Sequence, residues 1–257
     1  MNKTLVSVLM TVFNHERFVH KAIKSIINQS YKNLELIVID NGSHDKSKNI
    51  INKIKDKRIK KIFLKKNIGR TNCLNYGLNF CKGEYVAILD SDDIAKKNRI
   101  KVQIKEFEKN KNIWLLGSDY EIIKNNKKKS FNQNSIIFNK NPRKILFENL
   151  ISHSSVMYKK KLINKIGKYP TNFKYAQDYA FYLKAFKRFK IKILNKKLIK
   201  YRAEHEYSET HRRSSQKIIT KEKIRLLLWS YKNFELNLNE IFIFLIILVK
   251  QYIKLIK

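Results

Sequence analysis

Proline, glycine and cysteine are the scarce residues of this 257-residue chain: two, six and two respectively. So few prolines and glycines exclude a flexible linker, and leave room for one large domain or one domain with a smaller appendage. The two cysteines, Cys73 and Cys81, fall in one predicted helix. Helical rise sets them roughly 12 Å apart, too far to bridge, and no metal-type spacing accompanies them. A reduced, cytoplasmic setting is expected. Acidic residues are also short, 21 Asp and Glu against 56 Lys and Arg, for a formal net charge of +35. A basic chain attracts phosphates in nucleic acid, anionic lipid or nucleotides. Its lysines, however, are spread among many Asn and Ile, as an AT-rich coding sequence would spread them. No clustered basic patch with interleaved aromatics stands out, so no specific nucleic acid partner is expected. The N-terminal "LVSVLMTVF" runs straight into "NHER" without a small-residue cleavage site, and reads as a buried strand rather than a signal peptide.

What the chain does have is regular apolar patterning. Its 43% hydrophobic content comes in blocks that suit a substantial core. Strand-like runs cover Leu5–Phe13, Leu34–Asp40, Ile59–Leu64, Tyr85–Leu89 and Ile113–Gly117. Helical patterns lie between them near Arg17–Gln29, Lys46–Lys55, Thr71–Phe80 and Lys97–Asn110. This order predicts an α/β fold with a doubly wound, mainly parallel sheet. In such sheets ligands bind beyond the carboxyl ends of the strands. Phe13, Asn14, Asp40, Asp90, Asp92 and Asp93 would then share one rim. After about Tyr120 the alternation stops. "YEIIKNN" and "SIIF" are expected to pair as short antiparallel strands, followed by a helix near Pro142–Leu150 and a strand in "SHSSVMY". Tyr175–Phe189 is an amphipathic helix by spacing, and the tail from Ser214 reads as two helices. The tail's "IFIFLIILV", nine apolar residues, is too short to span a bilayer. Lying in a membrane interface and packing back on the core are its two readings.

Three carboxylates crowd into "ILDSDD", although like charges that close repel. Capping a helix that begins near Ala95 would account for Asp92 or Asp93 and leave two unexplained. A hard divalent cation, Mn²⁺ or Mg²⁺, shared with a diphosphorylated ligand would account for Asp90 and Asp92 together. Taken singly, Phe13 suits core packing and Asp40 an Asx turn with "NGS". Asp178, in "AQDYAFYLK", precedes an apolar helix face and, taken by its residues alone, suits another cap.

Four ordered stretches carry a resemblance: "VSVLMTVFNHERFVHKAIKSIINQSYKNLELIVIDNGSHD", "NIGRTNCLNYGLNFCKGEYVAILDSDD", "HSSVMYKKKLINKIGKY" and "YAQDYAFYLKAF". From about residue 5 to 205 the chain resembles the inverting family 2 glycosyltransferases of GT-A fold. The resemblance implies a Rossmann-like nucleotide-sugar half over 1–119 and a mixed acceptor-side and catalytic half over 120–213, to which the tail's own patterning adds basic amphipathic helices over 214–257. It places Phe13 where an aromatic stacks on the nucleotide base, with Glu16, Asp40, Arg70 and Asp90 as further nucleotide contacts. The family's second aspartate after Asp40 is here Asn41. Asp92 and Asp90 would ligate the metal. His205 of "YRAEH" would join them, or Arg202 and the "HRR" at 211–213 would clamp the diphosphate instead. Asp178 would be the catalytic base, with Gln177 in place of the first member of the usual acidic pair. His153 and Met157 resemble acceptor-side positions.

The implied activity is transfer of a hexose or N-acetylhexosamine, with inversion, from a UDP- or dTDP-sugar to a glycan acceptor. The basic tail adds the expectation that the acceptor is lipid-linked, in surface polysaccharide or lipooligosaccharide assembly. The enzyme would then sit peripherally on the cytoplasmic membrane's inner face. A basic nucleic-acid-binding protein and a non-catalytic membrane scaffold with a degenerate transferase fold are the alternatives. Intact Asp90, Asp92 and Asp178 argue against the second.

Overall fold

The computed structural model describes residues 4–124, 127–203 and 213–256. Strands and helices alternate through the first third: β1 (Val6–Val12), α1 (Val19–Ile27), β2 (Leu34–Asp40), α2 (Ser47–Lys53), β3 (Ile59–Phe63), α3 (Arg70–Leu78) and β4 (Tyr85–Ile88). A two-residue strand β5 (Ile94–Ala95), α4 (Arg99–Lys109), the long β6 (Ile113–Lys124), β7 (Lys127–Phe131) and α5 (Asn134–Lys140) follow. Then come β8 (Met157–Lys159), α6 (Leu162–Ile166), α7 (Gln177–Arg188), β9 (Lys190–Arg202), α8 (Arg213–Asn233) and α9 (Leu238–Ile256).

One sheet carries all the strands, in the order β3-β2-β1-β4-β8-β6-β9-β5, with β7 added beside β6. β1 pairs in parallel with β2 on one side and β4 on the other. The chain therefore winds outward from β1 in both directions, and the cleft opens where that winding reverses.

Alternation along these strands fills both faces. Val6, Val8 and Met10 of β1, Leu36 and Val38 of β2, and Tyr85 and Ala87 of β4 point to one side. There they meet Val19, Ile23 and Ile26 of α1 and Ile100, Ile104 and Phe107 of α4. Leu9, Ile37, Ile39, Val86 and Ile88 point to the other side, against Cys73, Leu74 and Leu78 of α3 and Phe181 and Leu183 of α7. Burying each such side chain contributes about 1.5–3 kcal/mol. Both cysteines are free and buried in this second layer, and burial pushes each thiol up to about 12.

The first half follows the sequence expectation to within a few residues at each element, save that β6 runs on past Gly117 to Lys124 and the short β5 was not expected. The second half corrects it in four places. "SIIF" lies in helix α5, and the strand that pairs with "YEIIK" is β7 instead. The Pro142 segment is a short 3-10 turn, Pro142–Leu146, and "SHSSVMY" is a 3-10 turn at His153–Ser155 before β8. No strand was expected at Lys190–Arg202, yet β9 pairs in parallel with β6 along most of its length. Asp92 and Asp93 cap no helix: β5 separates them from α4, whose own N-cap is Asn98.

Candidate active site

The site gathers at the carboxyl ends of β1, β2 and β4. β4 ends at Ile88, and the chain beyond it presents Asp90 two residues on. Asp90 is pinned from below, its backbone N–H donating to Ser154 Oγ at 3.0 Å. Across the cleft, α3 opens with Arg70 directly after Gly69, whose φ of +83° is a left-handed conformation open to glycine at little cost. Arg70 Nη2 donates to Asp90 Oδ1 at 2.6 Å and to His153 Nδ1 at 3.0 Å. With Nδ1 accepting, the imidazole proton belongs on Nε2, which faces the Tyr169 hydroxyl at 3.3 Å. Tyr169 in turn stacks on Phe181 of α7, with ring centroids 4.6 Å apart. Asp90 and helix α7 are thus joined through one line of side chains.

Electrostatics define the cleft more sharply than any single contact. Burial would lower the pKa of Arg70, but the carboxylates of Asp90, Asp178 and Asp92 outweigh it and hold the guanidinium above its ordinary value. Burial would likewise raise Asp90, and Arg70 overrides it, keeping that carboxyl well below the usual range. Asp93 goes the other way. It is 1% exposed, and burial together with Asp92 and Asp90 pushes it well above the ordinary value. Its Oδ1 accepts from Arg202 N at 2.7 Å, so Asp93 ties the site loop to β9 and faces inward. Arg99 lies fully buried beneath, donating to the Ile88 and Val156 carbonyls, and burial lowers its pKa to about 9. Of the three clustered carboxylates, one belongs to the core and two to the cleft.

Asp178 stands in the first turn of α7 and is half-buried. Its Oδ1 accepts from Tyr179 N at 2.7 Å, and its Oδ2 from Asn149 Nδ2 at 3.3 Å. The helix N-cap, Ala176, has no side chain able to cap. Glu222 of α8 supplies the cap from afar: its carboxylate accepts from Lys174 N, Tyr175 N and Ala176 N at 2.5–2.9 Å. Glu222 went unnoticed in the sequence because nothing local marks it.

At the carboxyl end of β1, Phe13 is half-buried and meets the His44 ring edge-on, centroids 6.1 Å apart. Asp40 Oδ1 accepts from Ser43 N at 3.0 Å, the turn bond, while Oδ2 is buried without a partner among the described residues. Asn41 buttresses the loop that delivers Arg70. Its Nδ2 donates to Asn67 Oδ1 at 3.0 Å, and its Oδ1 accepts from Ile68 N at 3.1 Å. Gly42, at φ +73°, lets this turn press on that loop; a Cβ there would sit 2.6 Å from the Lys66 backbone carbon. Glu16 is engaged in the same region, accepting from Lys46 N at 2.8 Å while its own N–H donates to Asp45. His15, not singled out in the sequence, binds Ser91 at 2.6 Å and so links the β1 loop to the acidic loop.

Asp90 and Asp92 offer hard oxygen donors of the type that Mg²⁺ and Mn²⁺ prefer. Among the described residues no three His, Cys, Asp or Glu side chains form an all-protein cage, so a cation here would complete its shell with substrate phosphates and water. The donor set fits a phosphate-bridging ion. His205, His211 and Arg212 lie outside the described residues. Arg202 packs its guanidinium over the Phe18 ring at 4.5 Å and donates to the Asp92 carbonyl. His153 stands on the Asp90 side, and Met157 is wholly buried in β8.

An open α/β sheet with its acidic loop at the switch point has the layout of a nucleotide-binding fold, and the comparisons narrow it to the GT-A class. Residues 7–200 match the family described as Glycosyl transferase family 2, and the chain belongs to that family. It is 36% identical over 227 residues to an uncharacterized glycosyltransferase of Methanocaldococcus jannaschii, covering 85% of this chain and 77% of that protein. It is also 31% identical to the UDP-Glc:alpha-D-GlcNAc-diphosphoundecaprenol beta-1,3-glucosyltransferase WfgD of Escherichia coli, over 76% of this chain and 75% of that one. Among solved structures, S. aureus TarS 1-349 in complex with UDP-GlcNAc superposes with a TM-score of 0.73 at 22% identity, covering 90% of this chain and 68% of that one. The mannosyltransferase PcManGT of Pyrobaculum calidifontis, in complex with GDP-Man and Mn²⁺, gives 0.69 at 14% identity, covering 92% and 67%. The fold is GT-A, and the chain is a glycosyltransferase.

Proposed function

We propose that this enzyme moves a hexose or N-acetylhexosamine from a UDP- or dTDP-type sugar to a lipid-linked glycan acceptor, with inversion at the anomeric carbon. The observation that carries the reading is the Arg70–Asp90 pair at 2.6 Å, with Asp178 and Asp92 near enough for their charge to act on the same guanidinium. That grouping supports reading Asp90 and Asp92 as donor-side carboxylates and Asp178 as the base. The relative from Escherichia coli, named for UDP-Glc and a diphosphoundecaprenol-linked GlcNAc, supports the donor and acceptor classes.

In this reading Phe13 lies against the nucleotide base and Asp40 Oδ2 takes a donor from the base edge. Glu16 holds the two flanking loops together beside it. Arg70 and Asp90 contact the nucleotide's ribose and diphosphate. Asp90 and Asp92 would hold Mn²⁺ or Mg²⁺, which supplies Lewis-acid neutralisation of a leaving diphosphate. Asp178 accepts the proton of the acceptor hydroxyl as that oxygen bonds to the anomeric carbon and the bond from that carbon to the diphosphate breaks on the opposite face. One displacement turns an α-linked donor into a β-linked product. Tyr169 and His153 set the wall between donor and acceptor sides. The enzyme works peripherally on the inner face of the cytoplasmic membrane.

A thermal-shift screen of nucleotide sugars with Mn²⁺ tests this, because a ligand that binds only the folded chain raises its apparent stability. A UDP- or dTDP-sugar should stabilise the chain more with the metal than without it, and Asp92→Asn should remove most of the metal-dependent part. An identical metal titration for Asp92→Asn would take Asp92 out of the site. Binding of nucleic acid with a steep salt slope, and of no nucleotide sugar, would overturn the reading.

A further inference from the structure

Helix α9 is apolar on two faces, and among the described residues one of them packs on the protein while the other is exposed. Inward, Phe244 is 5% exposed and stacks on Tyr231 of α8, with centroids 4.9 Å apart. Buried Glu240 receives Arg143 in a two-pronged contact, Nε at 2.6 Å and Nη2 at 3.0 Å. These contacts clamp the start of α9 to the body of the protein, and Leu226 of α8 continues into the main core. Outward, Leu238, Phe242, Leu245, Val249, Tyr252 and Ile256 repeat at spacings of four and three along 19 residues. They are 86, 66, 51, 57, 47 and 85% exposed. A helix apolar all round is normally buried in protein or lipid, and a continuous exposed stripe of this kind marks an interaction surface.

We propose that this outer face of α9 docks the enzyme on an anionic lipid bilayer, lying in the interface without crossing it. No described helix is long and apolar enough to cross a membrane, whereas 19 residues provide about 28 Å of rod to lie along one. Charge complementarity favours a bilayer over a second copy of the chain. Lys250 and Lys254 are exposed to one side of the stripe, and the only carboxylate on α9, Glu240, is turned inward onto Arg143. The chain as a whole carries +35. Two such copies would bring like charges together, while anionic headgroups attract them. A self-pairing helical seam would also be edged by complementary charges. Here exposed Ile246 and Ile253 widen the apolar band instead. Phe242 and Tyr252 add the aromatic rings that settle at headgroup depth. The proposal stands on α9 alone, and the lipid-linked acceptor of the preceding section only supplies a reason for it.

Co-sedimentation of the full chain with phosphatidylglycerol-containing vesicles, against pure phosphatidylcholine, tests the surface. Wild type should pellet with the anionic vesicles. Phe242→Ser/Val249→Ser should lower partition about 100-fold, roughly tenfold per side chain withdrawn from the interface. Lys250→Gln/Lys254→Gln should lower it roughly fivefold per charge on anionic vesicles only. Both variants alter exposed positions, so thermal unfolding and nucleotide-sugar stabilisation should match wild type; this separates failure here from failure of the catalytic reading. Unchanged partition of Phe242→Ser/Val249→Ser would show that the basic surface at large holds the membrane, and would overturn the proposal. So would a solution dimer that this variant dissociates, with no vesicle binding, since a second copy would then cover the stripe.

Discussion

From β1 to β4, three residues of the site stand close to a strand's carboxyl end: Phe13 follows β1, Asp40 closes β2 and Asp90 lies two beyond β4. Beyond β5 the site residues depend on partners far along the chain. His153 meets Arg70 across 83 positions, and the turn ahead of Asp178 is capped by Glu222 across 46. The difference is one of support. Parallel winding brings strand ends to one rim by topology alone, and the first half adds to it only a few anchors from beyond β5, Ser154 and His153. The second half has no such rule, and Asp178 relies on α8 docking correctly. A lesion in the first half should therefore show in donor binding, and a lesion in the second half in turnover.

The largest effect tests the second half at its centre. Asp178→Asn should cut kcat by about 10²–10⁴-fold, the usual worth of a positioned base, with donor stabilisation in the thermal-shift assay unchanged. Wild-type turnover would reject Asp178 as the proton acceptor. Glu222→Gln comes next. Gln keeps one acceptor oxygen and adds a donor that faces the backbone N–H groups of 174–176. A hydrogen bond to a charged group is worth about 1.5–3 kcal/mol, so the unfolding midpoint should drop by several degrees. If Glu222 positions Asp178, kcat well below the melting range should fall about tenfold while the donor KM holds. A lowered midpoint with normal kcat would confine Glu222 to stability and break the contrast between the halves.

These two residues also show how far the sequence could be read. The β-α-β-α order, strand ends and acidic loop were legible because period-2 and period-3.6 patterns are local and their topology is nearly forced. Asp178 stood out only through resemblance to a family, since an aspartate at a helix start is commonplace. Glu222 was invisible: a lone glutamate amid a basic helix looks like a solvated charge, and only the folded chain turns it inward. β9 was missed because five of its thirteen residues, in "KIKILNKKLIKYR", are lysines, which read as surface. "SIIF" misled in the opposite sense, as a β-branched run that tertiary context folds into α5. Asp93 was grouped with its neighbours because sequence cannot say which of three adjacent carboxylates faces inward.

Asn41→Ala sharpens the comparison from the first half. The substitution removes two contacts that brace the loop before Arg70. Stability should fall by about 1–2 kcal/mol, and the donor KM should rise several-fold while saturating kcat stays near wild type. A loss in kcat with an unchanged KM would mean that the loop also serves the acceptor side, and the division between halves would blur.

The smallest effect lies farthest from the chemistry, in the turn between α2 and β3, and isolates charge as a support of the first half. Asp56 holds Arg58 through both carboxylate oxygens, and that hydrogen bonding lowers its pKa from 3.8 to about 2. Arg58 Nη2 also donates to the Ile27 carbonyl at 2.8 Å, tying this turn to the end of α1. A carboxyl that is depressed in the folded chain binds fewer protons there than in the unfolded chain. Its contribution is therefore complete above about pH 4 and is lost as pH falls through 2. With both side chains partly solvated, that contribution is on the order of 1 kcal/mol. Asp56→Asn should accordingly be less stable than wild type at pH 7 by about this amount, in urea unfolding, and the gap should close by pH 2. A gap that persists unchanged at pH 2 would mean the turn is held by neutral hydrogen bonding alone, leaving charge no part in bracing the first half at this corner.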